Sequence, residues 1–146
     1  MKTKSDFPDI NKRQPSGLKE NGLPAKVLIV DDSVFVKKQL GQILTSEGFE
    51  IIDTAGNGLE AIEKYKEHHP EIDVVTMDIT MPGMDGVTAL EKIIEFDKNA
   101  KIVMVSALGK QDLVKKSFML GAKNYIIKPL DRHKVLDRIV SIIKNA

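Results

Sequence analysis

A buried apolar run that stops at a single carboxylate constrains this chain more than any other feature. Residues 74–77, Val-Val-Thr-Met, are mostly apolar and β-branched, which is typical of a fully buried strand. The run ends at Asp78, and Pro82, Gly83 and Gly86 follow in a segment that favours a loop over a continued strand or helix. An acidic side chain is therefore predicted at the carboxyl end of a buried strand, where open α/β sheets bind their ligands.

Apolar runs and helical patterns alternate five times along the chain. Because the runs are apolar throughout, both faces of the predicted sheet are expected to be covered by helices, as in parallel sheets. Short connections between alternating strands and helices favour right-handed crossovers. The sequence predicts an α/β fold with a doubly wound, five-stranded parallel sheet and five helices. The predicted strands are Val27–Val30, Phe49–Ala55, Ile72–Met77, Lys101–Val105 and Asn124–Ile127.

Residues 1–25 differ in composition from the rest of the chain. They contain three of the six prolines and only scattered apolar residues, so they offer little surface to offset the entropy of ordering. The sequence predicts a mostly disordered tail over residues 1–25 and one domain over residues 26–146. A docking peptide around Phe7 and Ile10 is the alternative.

Composition excludes several classes of function. The formal net charge of +1 gives no electrostatic argument for binding nucleic acid or an anionic membrane. The chain has no cysteine, which excludes disulfides and thiolate metal sites. No apolar run follows the charged start as in a signal peptide, and none is long enough to span a bilayer. These features predict a cytoplasmic protein without nucleic-acid or membrane partners.

Polar side chains follow four of the predicted strands. Asp31 and Asp32 come after the first strand, Asp78 after the third, Ser106 after the fourth and Lys128 after the fifth. Each alone has a structural explanation as a helix cap, a turn residue or a solvated lysine, but parallel strands bring all five to one edge. Converging carboxylates repel one another unless a cation or a proton is present, and Mg²⁺ suits such a site.

This combination of groups suits phosphoryl transfer. A metal ion, a lysine and a hydroxyl can together stabilise the charge of a transferring phosphoryl group. Asp78 is then the candidate nucleophile, forming an acyl phosphate. By contrast, His68, His69 and His133 lie in helical contexts away from this edge and are expected to be solvated rather than to bind metal.

These residues resemble the receiver domain of two-component response regulators over Lys26 to Ala146, and especially its free-standing chemotaxis members. The resemblance implies a flavodoxin-like sheet with strand order 2-1-3-4-5. The family's Lys-Pro peptide bond, here Lys128-Pro129, is commonly cis. The matching motifs are Val30-Asp31-Asp32-Ser33, the stretch from Met77 to Gly86, Ser106-Ala107, Gly121-Ala122 and Lys128-Pro129.

The resemblance also implies a role for each site residue. Asp78 accepts phosphate from a phosphohistidine on a sensor histidine kinase. Asp32, Asp78 and the backbone carbonyl of Thr80 ligate Mg²⁺, while Asp31 supports the ion through water. Lys128 pairs with the phosphoryl group and Ser106, which replaces the more common threonine, donates a hydrogen bond to it.

Signalling is expected to run through Ser106 and Tyr125. In this scheme Tyr125 is an aromatic switch that fills the space Ser106 vacates, and the partner binds the fourth helix, fifth strand and fifth helix. The expected partners, besides the kinase, are a flagellar motor switch protein and a phosphatase. The alternative for Tyr125 is an edge aromatic with its hydroxyl in water.

Two other functions remain open from the sequence. One is a phosphorelay intermediate that passes the phosphoryl group to a histidine phosphotransfer protein. The other is an Asp-nucleophile phosphatase, which is disfavoured because that class needs a second acid where Thr80 stands. The stretches Met77–Pro82 and Ser106–Gly109 look like chemotaxis members. We therefore expect a chemotaxis regulator, not an enzyme beyond catalysis of its own phosphorylation and dephosphorylation, and no DNA-binding output domain.

Overall fold

The computed structural model describes residues 15–144, in which five strands and five helices alternate along the chain. The predicted docking peptide around Phe7 and Ile10 lies outside the described residues. The strands are β1 (Lys26–Val30), β2 (Glu50–Ala55), β3 (Val74–Asp78), β4 (Ile102–Ser106) and β5 (Asn124–Ile127). The helices are α1 (Val34–Thr45), α2 (Gly58–His68), α3 (Gly86–Phe96), α4 (Gln111–Met119) and α5 (Arg132–Lys144).

The strands form one parallel sheet in the order β2-β1-β3-β4-β5, which confirms the predicted fold. In the central strand β3, Val75 pairs with Leu28 on one side and with Ile102 on the other. β2 lies on one side of β1, and the later strands β3, β4 and β5 follow on its other side. The boundary between β1 and β3 is therefore the switch point at which ligands bind in doubly wound sheets.

Two apolar cores cover the two faces of the sheet. Residues of α2 and α3 pack on one face around Leu90 and Met104. Residues of α1 and α5 pack on the other around Leu40 and Ile139. Since successive residues of a strand point to opposite faces, the apolar runs of β1, β3 and β4 supply both cores. Both faces of the central strands are thereby removed from water.

The predicted element bounds are accurate to within two residues at the strands. β3 begins at Val74 rather than Ile72 and includes Asp78, and β2 begins at Glu50 rather than Phe49. The helices α1, α2 and α3 start after side-chain caps of the expected type, which accept a backbone N–H in the first turn. The capping residues are Ser33, Asn57 and Asp85.

Structure begins before the predicted boundary at Lys26. Residues 15–25, which we call the N-terminal segment, turn back on themselves through an antiparallel bridge between Leu18 and Pro24. The Gly17 N–H donates to the Glu47 carbonyl oxygen at 2.7 Å, and Ala25 is fully buried. Backbone groups, not apolar side chains, make most of these contacts, which is why composition gives no sign of them.

None of the helices within residues 15–144 is long and apolar enough to cross a membrane.

Gly17 tests whether the N-terminal segment contributes to stability. A Cβ at this position would lie 2.6 Å from the Phe49 nitrogen and 2.7 Å from the Glu47 carbonyl oxygen, so the segment would have to move. Gly17→Ala should lower the free energy of unfolding by about 1–3 kcal/mol, as overpacking does. Chemical denaturation measures the change.

The control is Gly41→Ala in α1, where a Cβ meets nothing within 4 Å. Alanine is the better helix former by about 1 kcal/mol, so this variant should be as stable as the natural protein or more so. If both variants have the same stability, the N-terminal segment is not packed as described.

Candidate functional site

The carboxyl ends of four strands bring the predicted polar side chains to one edge of the sheet. Asp78 is the last residue of β3 and Ser106 is the last residue of β4. Asp31 directly follows β1, with its N–H donating to the Ala55 carbonyl oxygen, and Lys128 directly follows β5. The site is thus built from residues at strand ends. The hydrogen-bonded sheet fixes their backbone positions.

Three carboxylates meet at this edge. Oxygen atoms of Asp31, Asp32 and Asp78 all lie within 4.8 Å of one another. Asp31 is 0% exposed and Asp78 is 4% exposed, whereas Asp32 is exposed. Two of the three charges are therefore out of water, where repulsion between them is strong.

Lys128 supplies the opposing positive charge. Its Nζ lies 3.1 Å from Asp31 Oδ2 and 3.5 Å from Asp78 Oδ1. Asp31 Oδ1 accepts the Ser33 N–H at 2.9 Å. No group among residues 15–144 makes a well-aligned hydrogen bond to Asp31 Oδ2, although Lys128 forms an ion pair with it. One cation close to three carboxylates leaves the cluster short of positive charge.

Burial and this imbalance of charge both act on the pKa of Asp78. Burial, and then the negative charge of Asp31, raise the pKa of Asp78 to about 7, while Lys128 opposes the increase. Asp32 raises it further through a hydrogen bond and its charge. A carboxyl group with a pKa near 7 is only partly ionised at neutral pH, and a nearby cation would favour its ionised form.

Gly86 sets the close approach of α3 to the end of β3. A Cβ on Gly86 would overlap the Asp78 carbonyl oxygen, and the Gly86 N–H donates to the Ile79 carbonyl oxygen at 2.8 Å. Only glycine permits this packing. Sequence reasoning identified Gly86 as a loop residue but missed this contact, because the spacing between α3 and β3 is visible only in three dimensions.

Ser106 and Tyr125 line one cavity next to the carboxylates. The cavity encloses about 400 Å³ and is mostly apolar. Ser106 is buried, and its hydroxyl donates to the Ala107 carbonyl oxygen at 2.9 Å. The half-buried Tyr125 ring meets Phe118 edge-on, and the Arg138 guanidinium lies 5.9 Å from its centre. There is space beside Tyr125 for its ring to move.

Thr80 and the Lys128-Pro129 bond lie at the same edge of the sheet as the carboxylates, whereas His68 lies elsewhere. Thr80 is exposed in the loop after β3, two residues from Asp78, and the Lys128-Pro129 bond is cis as expected. His68 is not solvated as predicted, because its Nε2 lies 2.8 Å from Asp53 Oδ2. Both Asp53 oxygens also contact Lys64 at 3.1 Å, so Asp53 takes part in an ion-pair network. Ligand atoms of Asp53, Glu67 and His68 lie within 4.8 Å of one another, and Lys64 supplies positive charge beside them.

Comparison with known proteins agrees with this geometry. Residues 27–140 match the family described as the response regulator receiver domain. The chain is 67% identical to the chemotaxis protein CheY of Treponema pallidum, over 99% of this chain and 100% of that protein. It is 49% identical to CheY of Bacillus subtilis, over 78% of this chain and 93% of that protein.

The structure is similar to a chain in the crystal structure of the CheX-CheY-BeF3-Mg²⁺ complex from Borrelia burgdorferi. The TM-score is 0.86 and the identity is 61%, covering 89% of this chain and 98% of that one. The relatives favour the chemotaxis interpretation over a phosphorelay intermediate or a phosphatase. The chain belongs to the response regulator receiver domain family and is a homologue of the chemotaxis CheY proteins.

Proposed function

We propose that this protein is a phosphorylation-activated switch of a chemotaxis pathway, with Asp78 as the phosphoacceptor. The observation that carries the proposal is the position of the Asp78 carboxylate at the end of the central strand. It lies 3.5 Å from Lys128 and within 4.8 Å of two further carboxylates. Family membership supports the same residue, because Asp78 stands in the motif by which the chain resembles other receivers.

The transfer step is a nucleophilic displacement at phosphorus. An Asp78 carboxylate oxygen attacks the phosphorus of a phosphohistidine on the kinase and forms a P–O bond. The N–P bond breaks, and its electron pair goes to the histidine nitrogen, which takes a proton. In this proposal Lys128, which lies 3.5 Å from Asp78 Oδ1, meets one phosphoryl oxygen, and the Ser106 hydroxyl meets another once it turns from the Ala107 carbonyl oxygen. Both groups then stabilise the charge of the phosphoryl group during transfer.

The carboxylate cluster fits a Mg²⁺ ion. Asp31 Oδ2 is buried without an aligned donor among residues 15–144, and carboxylate oxygens are the ligands Mg²⁺ prefers. We assign Asp32, Asp78 and the Thr80 carbonyl as direct ligands and Asp31 as a support through water. Bound Mg²⁺ neutralises negative charge on the phosphoryl oxygens. The Borrelia burgdorferi complex combines CheY with BeF3 and Mg²⁺, which supports this assignment.

The phosphoryl group is read out through Ser106 and Tyr125. When the Ser106 hydroxyl turns from the Ala107 carbonyl towards a phosphoryl oxygen, it leaves the cavity that both residues line. The Tyr125 ring then has a second position available, so the pair forms the two-state element that a switch requires.

The surface next to Tyr125 is where we expect the partner to bind. Phe118 on α4 and Ile127 on β5 expose 42% and 40% of their surface, and Lys115 and Arg138 add positive charge. An apolar patch rimmed by cations suits a partner segment that is apolar and acidic. We propose a sensor histidine kinase as the phosphoryl donor, with a flagellar motor switch protein and a phosphatase as further cytoplasmic partners.

Replacing the phosphoacceptor tests the proposal directly. Asp78→Asn should abolish labelling by acetyl phosphate with Mg²⁺, because the amide is not a nucleophile. Intact-mass spectrometry measures the phosphorylated fraction. Asp112→Asn, at an exposed position in the first turn of α4, is the matched control and should be labelled like the natural protein. Phosphate on another residue of the Asp78→Asn protein would contradict the assignment.

The raised pKa of Asp78 also predicts a change in stability. Because folding raises this pKa from 3.8 to about 7, ionisation of Asp78 destabilises the folded protein as the pH rises from about 4 to 7. Asp78→Asn removes that charge. Without divalent cations at pH 8 the variant should therefore be more stable than the natural protein. The pKa increase corresponds to roughly 4 kcal/mol at most, and we expect about 1–2 kcal/mol because solvent screens part of the repulsion.

Thermal unfolding at pH 4.5 and pH 8 measures this difference. The gain should be small at the lower pH, and saturating Mg²⁺ should reduce it at pH 8 because the cation offsets the repulsion. Asp112→Asn should show no comparable pH-dependent gain. An Asp78→Asn protein no more stable than the natural one at pH 8 would show that the carboxylate cluster is not strained.

Ser106→Ala tests the route from phosphate to partner. The variant should still be phosphorylated at Asp78, but beryllofluoride should raise its affinity for the flagellar switch protein less than it does for the natural protein. A coupling of about 1–3 kcal/mol corresponds to a loss of roughly five- to a hundred-fold. Ser117→Ala, a buried serine in α4 that bonds to the Leu113 carbonyl, is the control. A full gain in Ser106→Ala would exclude this route.

A further inference from the structure

The N-terminal segment is an addition to the receiver domain. The family match begins at residue 27, so residues 15–25 precede it. The Bacillus subtilis and Thermotoga maritima relatives align over nearly all of their own length but over only 78% and 82% of this chain. The Treponema pallidum relative aligns over 99% of it. The alignments thus indicate that the segment is not part of the receiver domain that these relatives share.

Glu47 joins this segment to the domain. Its side chain is buried at the end of α1, where Oε1 accepts both the Ser16 N–H at 3.0 Å and the Ser16 hydroxyl at 2.9 Å. A buried carboxylate needs such donors, because an unsatisfied charge is costly away from water. The N-terminal segment therefore fixes the orientation of the Glu47 carboxylate.

The other oxygen of Glu47 anchors the start of α5. Arg132 Nη2 donates to Glu47 Oε2 at 2.9 Å, and Arg132 Nη1 donates to Ser46 Oγ at 2.7 Å. This two-point contact fixes the guanidinium more rigidly than a single ion pair does. Arg132 is the first residue of α5 and lies four residues after Lys128.

The chain between Lys128 and Arg132 is thus held at both ends. The Lys128 N–H donates to the Ser106 carbonyl oxygen at 2.7 Å, and Arg132 is held by Glu47. The Lys128 ammonium group lies between two carboxylates in the site, at distances of 3.1 and 3.5 Å. A displacement of the loop by about 1 Å can change transfer rates substantially, because the reacting groups must be closely aligned.

We propose that the Ser16–Glu47–Arg132 cluster is a positioning element for Lys128, through which the N-terminal segment raises the rate of phosphoryl transfer to Asp78. This inference rests on the proposed function of Asp78. The same cluster holds Lys128 where it pairs with a bound phosphoryl group, so it should also favour binding of a phosphoryl analogue. Because coupling between binding free energies is reciprocal, a bound analogue should in turn stabilise the N-terminal segment.

The first test measures phosphorylation of Arg132→Ala by acetyl phosphate at saturating donor and Mg²⁺. The rate constant should fall about three- to tenfold, which lies within the roughly two- to thirtyfold effects of mutations that weaken coupling between sites. The Mg²⁺ concentration for half-maximal rate should not change, because none of the carboxylates is altered. Arg132→Lys, which keeps the charge, should recover part of the rate.

The control is Lys144→Ala. Lys144 Nζ donates to the Leu18 carbonyl oxygen at 3.2 Å, which is a contact of the same segment with the other end of α5. Its loss should leave the rate of phosphorylation unchanged. An equal loss of rate in both variants would indicate general loosening of the segment and would overturn the proposal.

A double-mutant cycle separates positioning from stability. If Arg132 acts through Lys128, Arg132→Ala should slow phosphorylation no further in a Lys128→Ala protein. Independent, multiplying losses would overturn the proposal. If the natural protein is not labelled at Asp78, the proposed function fails. If it is labelled and Arg132→Ala matches it, only this inference fails.

Amide hydrogen exchange provides a second readout that needs no transfer chemistry. The N–H groups of Gly17 and Ala25 are hydrogen-bonded within the segment and to Glu47. Beryllofluoride with Mg²⁺ should slow their exchange in the natural protein and not in Arg132→Ala. Equal slowing in both proteins would show that the segment does not sense the site through Arg132.

Discussion

The repulsion between the buried carboxylates of Asp31 and Asp78 is the interaction on which the rest of the structure depends. Two such groups beside one lysine are unfavourable: burial first, and then the charge of Asp31, raise the pKa of Asp78 despite Lys128. The fold tolerates this arrangement because the strands that carry both residues are stabilised by two separate apolar cores. The stability of the sheet offsets a local strain that, in the proposed mechanism, Mg²⁺ and the phosphoryl group relieve.

The same strain explains why the site is built from strand ends rather than loops. If these two carboxylates were on mobile loops, their repulsion would move them apart and they would no longer form one site. Here Asp78 is within β3, and Gly86 allows α3 to press against its backbone. Lys128 is held by a backbone bond to β4. In the proposed mechanism, the side chains that move are those that line the cavity next to the site, which include Ser106 and Tyr125.

Most of the fold could be predicted from the sequence because it depends on local patterns. Apolar runs predict the strands, and helical spacing with caps such as Ser33 predicts the helices. The alternation of strands and helices predicts the parallel sheet. The candidate site followed from the same pattern, since parallel strands share one edge. Contacts between distant residues could not be predicted in this way. The bond from Glu47 to Arg132 joins residues 85 apart, and no local pattern marks it.

The contacts of the N-terminal segment could not be predicted for a related reason. Its few apolar residues suggested a chain unable to fold alone, and in the structure it packs on a surface that the rest of the domain provides. Phe49 is only 4% exposed, and a side chain on Gly17 would collide with it. The segment thus makes room for a large aromatic ring at the margin of the core. In a receiver that begins directly at β1, we expect that margin to face water and a smaller or more polar residue to be favoured there. Chain length and the choice of residue 49 are therefore expected to change together as this family diverges.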